Sequence, residues 1–211
     1  MGFGQDMIVR VLGAAGAALL MLAAAPASAQ QFSDSYNFLN AIRETDGTKV
    51  NKYLENKSLR IVNAKDRSTG EGALHIVTRR SDSTYLRVLL QQDDINPNLQ
   101  DNRGNTPLII AAERGWGDGV QILLKYGANV NTANTSGETP LIRAVQVHDI
   151  DVARQLLAAG ANPDRTDNVT GKSARDYARD ETRYPQIAKL LAEAPKGGKS
   201  SGSAAPAGPK L

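Results

Sequence analysis

Four glycines recur at a nearly fixed interval in this chain. Gly70, Gly104, Gly137 and Gly171 are separated by 34, 33 and 34 residues. A leucine pair keeps the same spacing, at Leu89-Leu90, Leu123-Leu124, Leu156-Leu157 and Leu190-Leu191. Units of this size cannot bury an apolar face alone, so each must lean on its neighbours. The period therefore predicts a linear array of stacked units rather than a closed core.

The clearest copy runs from Asp101 to Asn131. Asp101 to Asn105 is turn chemistry, with Gly104 free to take positive φ. Thr106 stands where a helix N-cap belongs, and Pro107 at the first helical position, where a missing N–H costs nothing. Leu108, Ile109, Ala111 and Ala112 give a short first helix its apolar face. Gly115 is placed to end it in the left-handed region. Val120, Ile122, Leu123 and Leu124 form a second apolar stripe at helical spacing. Gly127 closes that helix.

Thr139-Pro140-Leu141 repeats Thr106-Pro107-Leu108, and Gly160-Ala161-Asn162 repeats Gly127-Ala128-Asn129. On these residues the units resemble ankyrin repeats, whose pattern includes G-x-T-P-L-H-x-A, a later Leu-Leu and a closing Gly-Ala. The resemblance covers roughly Tyr36 to Glu193. It implies an all-α solenoid of helix-turn-helix units with protruding turns or hairpins. Units are expected at about 35–65, 66–100, 101–133, 134–167 and 168–194.

The outer units depart from the pattern. In the first, Ser33-Asp34-Ser35 offers an N-cap to a helix carrying Tyr36, Phe38, Leu39, Ala41 and Ile42. Asp46-Gly47 is the turn, and Val50, Tyr53 and Leu54 mark the second helix. In the next unit Gly72-Ala73 replaces Thr-Pro, which predicts a weaker cap. His75 takes the family's structural histidine position, and Asp93 replaces the helix-ending glycine. This unit is expected to be the least stable internal one, because Asp tolerates the left-handed region less well than Gly. His148 stands where a first helix otherwise ends in glycine. Trp116 follows Gly115 in the turn and is expected to pack against the neighbouring unit. The last unit carries Arg175, Arg179, Asp180 and Glu181, which suits a cap facing water.

Both ends read as something other than repeat. Val11 to Ala25 is uninterrupted small and apolar residues, followed by Ala27-Ser28-Ala29. That is the pattern of a secretory signal peptide over residues 1–29 cleaved after Ala29. The run is too short for a bilayer core of about 30 Å at about 1.5 Å per residue. The expected location is the bacterial periplasm or the exterior. From Pro195 to Leu211 the chain is rich in Gly, Ser, Pro and Ala, so this tail is expected to be disordered.

Charge and composition exclude several classes of function. The chain has 25 basic and 22 acidic residues, a net charge of +3. The excess lies in the tail, in Lys196, Lys199 and Lys210, so the body is formally neutral and nucleic-acid binding is not expected. There is no cysteine, which removes disulfides, thiol catalysis and thiolate metal sites. Two histidines at different landmarks do not meet the ligand number that zinc needs. Gly171-Lys172-Ser173 resembles the end of a phosphate loop, but Thr166 stands where its first glycine belongs. The carboxylate pairs Asp93-Asp94 and Asp149/Asp151 fall in turns and at helix starts, where acids complement the helix dipole. No catalytic residue, cofactor or metal site is expected.

What remains is recognition. The resemblance implies one concave face, lined by turn tips and by the solvent side of each first helix, where a protein partner docks. Carried over by position, the tips are Ser68, Thr69 and Glu71; Asn102, Arg103 and Asn105; Thr135, Ser136 and Glu138. The helix positions are Arg79 and Arg80; Glu113 and Arg114; Gln146 and Val147. Arg79, Arg80, Arg103 and Arg114 would form a basic patch on a neutral body, suited to an acidic or polar partner. The chain is expected to act as a monomeric adaptor, stabiliser or inhibitor of a periplasmic or secreted protein. The alternative is an envelope-associated structural protein held by its basic tail.

Overall fold

In the computed structural model of the protein, residues 27–59 and 61–196 are described, with side chains from residue 34 onward. The signal segment up to Pro26 and the tail beyond Lys196 lie outside these residues.

The described residues form ten α-helices and no strands. They come in five pairs: α1 (Ala27–Glu44) with α2 (Gly47–Glu55), α3 (Ala73–Arg79) with α4 (Ser83–Leu90), α5 (Pro107–Glu113) with α6 (Gly117–Lys125), α7 (Pro140–Gln146) with α8 (Ile150–Ala158), and α9 (Ala174–Asp180) with α10 (Pro185–Glu193). Two short 3-10 turns, at Lys57–Leu59 and Ile61–Asn63, follow α2. The first helices α1, α3, α5, α7 and α9 touch in sequence and make one layer. The second helices α4, α6, α8 and α10 make the other. Between them a single apolar core runs the length of the array, through Phe38, Leu74, Leu86, Leu108, Leu123, Leu141 and Leu156 to Leu191. Burying one such side chain contributes about 1.5–3 kcal/mol, and each unit supplies only part of the wall.

Capping explains where the helices begin. The Thr106 hydroxyl accepts from Ile109 N–H and Thr139 from Ile142 N–H, at 3.3 and 3.2 Å, with proline at the first helical position in both. Asp46, Asp82 and Asp149 cap the second helices α2, α4 and α8 in the same way. At Gly72 no side chain can cap, but the imidazole of His75 accepts the Gly72 N–H at 3.1 Å. A Cβ at Gly72 would lie 2.7 Å from Leu99 Cδ2 and 3.2 Å from Ala64 C=O, so a larger residue here requires Leu99 to give way.

Two expectations need amendment. The Ser33-Asp34-Ser35 cap is not used, because α1 starts at Ala27 and runs straight through it. No Gly or Pro interrupts Ala27 to Glu44, so nothing stops the helix earlier. Asp93 does not adopt the left-handed form, since α4 ends at Leu90 and Gln91 stays right-handed at φ −84°. The left-handed residue after the first helix is Gly115 as expected, and His148 at φ 61°, but also Thr45 at 58° and Ser81 at 56°. The local bonds that close the helix are the same at all three, from Asp46 N–H to Ala41 C=O, Asp82 N–H to Val77 C=O and Asp149 N–H to Ala144 C=O, and they offset the cost of a region that ordinary side chains avoid.

Candidate functional site

The turn tips form a continuous rail. Asn102 N–H donates to Thr69 C=O at 3.0 Å, Thr135 N–H to Arg103 C=O at 3.0 Å, and Asn168 N–H to Ser136 C=O at 2.8 Å. Each acceptor immediately precedes a tip glycine. Those glycines have φ of 72° at Gly70, 75° at Gly104 and 79° at Gly137. A Cβ on any of the three would come within 2.7 Å of the next tip's backbone nitrogen. The period of 33–34 residues is therefore the length of chain needed to return each tip to hydrogen-bonding distance of the last.

A carboxylate or an asparagine at the base holds each tip in shape. Asp101 Oδ1 accepts from Arg103 and Asn105 N–H, and Asn134 Oδ1 from Ser136 and Glu138 N–H. Hydrogen bonds from the Ser68 hydroxyl and from Arg43 keep the carboxyl of Asp66 well below the usual carboxylate range. Burial resists ionisation of Asp167, but donors from Thr170 and the Tyr177 hydroxyl outweigh it and bring its pKa to about 2.

A second rail, made of asparagines, joins the loops that leave the second helices. Asn96 N–H donates to Asn63 Oδ1, Asn129 N–H to Asn98 Oδ1 and Asn162 N–H to Asn131 Oδ1, at 2.7–2.8 Å. Asn98 and Asn131 also donate to Gly127 and Gly160 C=O. The two rails fix one unit on the next at two places along each connecting loop.

On the face made by tips and first helices, the expected residues separate into two groups. Arg79 pairs with Glu71 of its own tip. Arg80 donates to Ile42 C=O and pairs with Asp82 at 2.9 Å, so it ties the second unit to the first. Glu113, Asn105, Glu138 and Gln146 are drawn into one network by two residues that the sequence reading missed, Arg143 and Asn134. Arg143 reaches Glu113 at 2.5 Å, Glu138 at 3.3 Å and Gln146 at 3.0 Å. Asn134 Nδ2 donates to both Asn105 and Glu138. Burial opposes the charge on Glu138, yet Asn134, Gln146 and Arg143 lower its pKa. Arg143 had a visible signal: it stands where the other units carry Ile76 and Ile110.

Asn102 donates to Ser68 C=O and the Thr135 hydroxyl to Arg103 C=O, which adds side chains to the tip rail. Ser136 is half-buried, and Val147 is exposed at the end of α7. Arg103 has no ion pair among the described residues, and Arg114 makes one long hydrogen bond, 3.4 Å, to the Ser81 hydroxyl. Of the four arginines in the expected patch, these two lack a carboxylate partner.

The remaining candidates are structural. His75 is fully buried; its Nδ1 accepts from Gly72 and its Nε2–H faces Asn105 C=O at 3.0 Å. Burial pushes its pKa down, against the Asn105 bond. His148 stacks on Tyr184, ring centroids 3.9 Å apart, with Glu181 3.6 Å away. The Trp116 indole covers Gly119 of its own helix and shares a cleft with Asp149, Val152 and Gln155 of the next unit. Among the described residues no group of three or more His, Asp or Glu side chains is arranged to hold a metal ion. No helix among them is long and apolar enough to cross a membrane.

Comparison with known proteins agrees with this geometry. The family model for ankyrin repeats in three copies matches residues 38–134 and, overlapping, 74–167. The chain belongs to the ankyrin-repeat family. Similar proteins include the E3 ubiquitin-protein ligase KEG of Arabidopsis thaliana, 31% identical over 113 residues, which is 53% of this chain and 7% of that protein. BCL-6 corepressor-like protein 1 of Homo sapiens is 33% identical over 117 residues, 56% of this chain and 6% of that one. Delta-latroinsectotoxin-Lt1a of Latrodectus tredecimguttatus is 43% identical over 60 residues, 28% of this chain and 5% of the toxin. The chain thus spans under a tenth of these relatives' length. Ankyrin repeats are an interaction module, so the family implies a protein partner.

Proposed function

We propose that this ankyrin-repeat chain is an exported, monomeric, non-enzymatic binder of another periplasmic or secreted protein, which it stabilises, tethers or inhibits. The partner docks on the tips and first helices of the third and fourth units, and it offers carboxylates to Arg103 and Arg114. The observation that supports this choice is the division of charge on that face. Arg143 satisfies Glu113 and Glu138, whereas Arg103 and Arg114 have no carboxylate of their own. The tip rail holds Arg103 by its backbone, so only its side chain remains to be ordered on binding. An interface of this kind buries about 1,200–2,000 Å² in total.

The test is capture of the partner from the exported fraction of the cells that make the protein, using the mature chain. Arg103→Glu with Arg114→Glu is expected to lower capture at least about tenfold, since like charges at an interface cost several kcal/mol. Helicity and melting temperature should not change. Undiminished capture by the double variant would sink the assignment of this face. A cytoplasmic location, or a solution mass of twice the chain, would refute the export or the monomer.

A further inference from the structure

The layer of second helices carries a cleft of about 190 Å³ between α4 and α6, lined by Arg87, Gln121, Ile122, Lys125 and Tyr126. Its polar groups can all donate: a guanidinium, an ammonium, a carboxamide N–H and a phenolic O–H. No carboxylate lines it. The two other clefts described contrast with it. The one beside Trp116 contains Asp118, Asp149 and Asp151, and the one beside Tyr53 contains Asp93 and Asp94, with Lys57 already paired to Asp93 at 2.8 Å.

Neither the Arg87 guanidinium nor the Lys125 ammonium, both exposed, is engaged by an ion pair or hydrogen bond among the described residues. Both stand in the last turns of their helices, where a base complements the dipole. That effect accounts for one cation per helix. It does not require two cations to line the same acid-free cleft. Two cations without counter-charge match a dianion, and a guanidinium fork suits phosphoryl oxygens.

We propose that this cleft binds a phosphomonoester. Such a group carries a charge of about −1.5 to −2 at neutral pH. The volume is below the roughly 300 Å³ at which small-molecule pockets usually start, so the phosphoryl group enters and the rest of the ligand stays outside. Arg87 takes two oxygens, Lys125 supplies a point charge, and Gln121 and Tyr126 complete the donors. The site is separate from the tip face and does not depend on the proposed protein partner.

Inorganic phosphate titrated into the full chain at constant ionic strength should give saturable amide shifts at Gln121 and Tyr126; chloride should not. Arg87→Gln and Lys125→Gln are each expected to weaken binding at least about tenfold, the scale of a lost charge-assisted hydrogen bond. Arg103→Gln should leave it unchanged. Binding of glycerol phosphate should also weaken as pH falls through about 6, where a phosphomonoester dianion takes up a proton. Glycerol phosphate and phosphatidylcholine vesicles containing phosphatidic acid separate the sources. Sedimentation with those vesicles, but not with phosphatidylcholine alone, assigns the phosphoryl group to a lipid. Saturable glycerol phosphate binding without sedimentation assigns it to a soluble ester. Absence of saturable shifts, or identical shifts in both cleft variants, overturns the proposal.

Discussion

The tip glycines have the same backbone conformation but different surroundings. Gly104 and Gly171 both hold positive φ, 75° and 68°. A Cβ on Gly104 would stand 2.7 Å from Thr135 N, whereas one on Gly171 would meet nothing within 4 Å. Alanine at either site incurs the left-handed penalty, about 1–2 kcal/mol. At Gly104 it must also push the next tip aside and break the Thr135 to Arg103 bond. Gly104→Ala is therefore expected to destabilise by at least about 1 kcal/mol more than Gly171→Ala, the size of a lost hydrogen bond. Denaturant unfolding of both variants checks this, and equal losses would mean that the rail carries no energy.

At the scale of the element, the second unit is instructive. The expectation of a weak cap followed from Gly72-Ala73 standing in place of Thr-Pro. The Gly72 side of the helix start has no side-chain cap, but His75 takes the orphan N–H and Leu99 takes the space. Restoring the consensus residue with Gly72→Thr should lower the melting temperature, although a threonine cap elsewhere contributes about 1 kcal/mol. A rise in melting temperature would show that Leu99 yields easily and that glycine is a defect at this position.

Across the whole molecule, buried polar groups couple units and make stability depend on pH. His75 joins the second unit to the third through Asn105, and its folded pKa lies below the ordinary value of about 6.5. Its contribution is complete above that value and is lost as pH falls, because only the unfolded chain then takes the proton. Asp66 and Asp167 are also depressed, so theirs is complete above about 4 and declines as pH falls toward the folded values. Melting temperature should therefore fall in two stages on acidification. His75→Gln should abolish the stage below about 6.5 and leave the acidic one. A single stage in the unaltered protein would contradict the assignment.

The repeat, its register, the helix pairs and the threonine caps were legible in the sequence, because they depend on local spacing and local backbone chemistry that recur every 33–34 residues. The landmarks fixed Gly104, Thr106, Pro107 and Gly115 in their places before any contact was known. The tertiary structure decided what lies between units. At Ser81 and Thr45 no glycine marks the left-handed turn, which shows only in the bonds from Asp82 N–H to Val77 C=O and from Asp46 N–H to Ala41 C=O. The two rails pair residues about one repeat apart, and the pairing depends on how far each unit advances on the last. The same holds for charge. Sequence placed four arginines on one face, but only packing revealed that Arg79 and Arg80 are already committed and that Arg143 occupies the acids. Ionic partners of this kind are chosen by side-chain reach across neighbouring units, which no single-chain periodicity encodes.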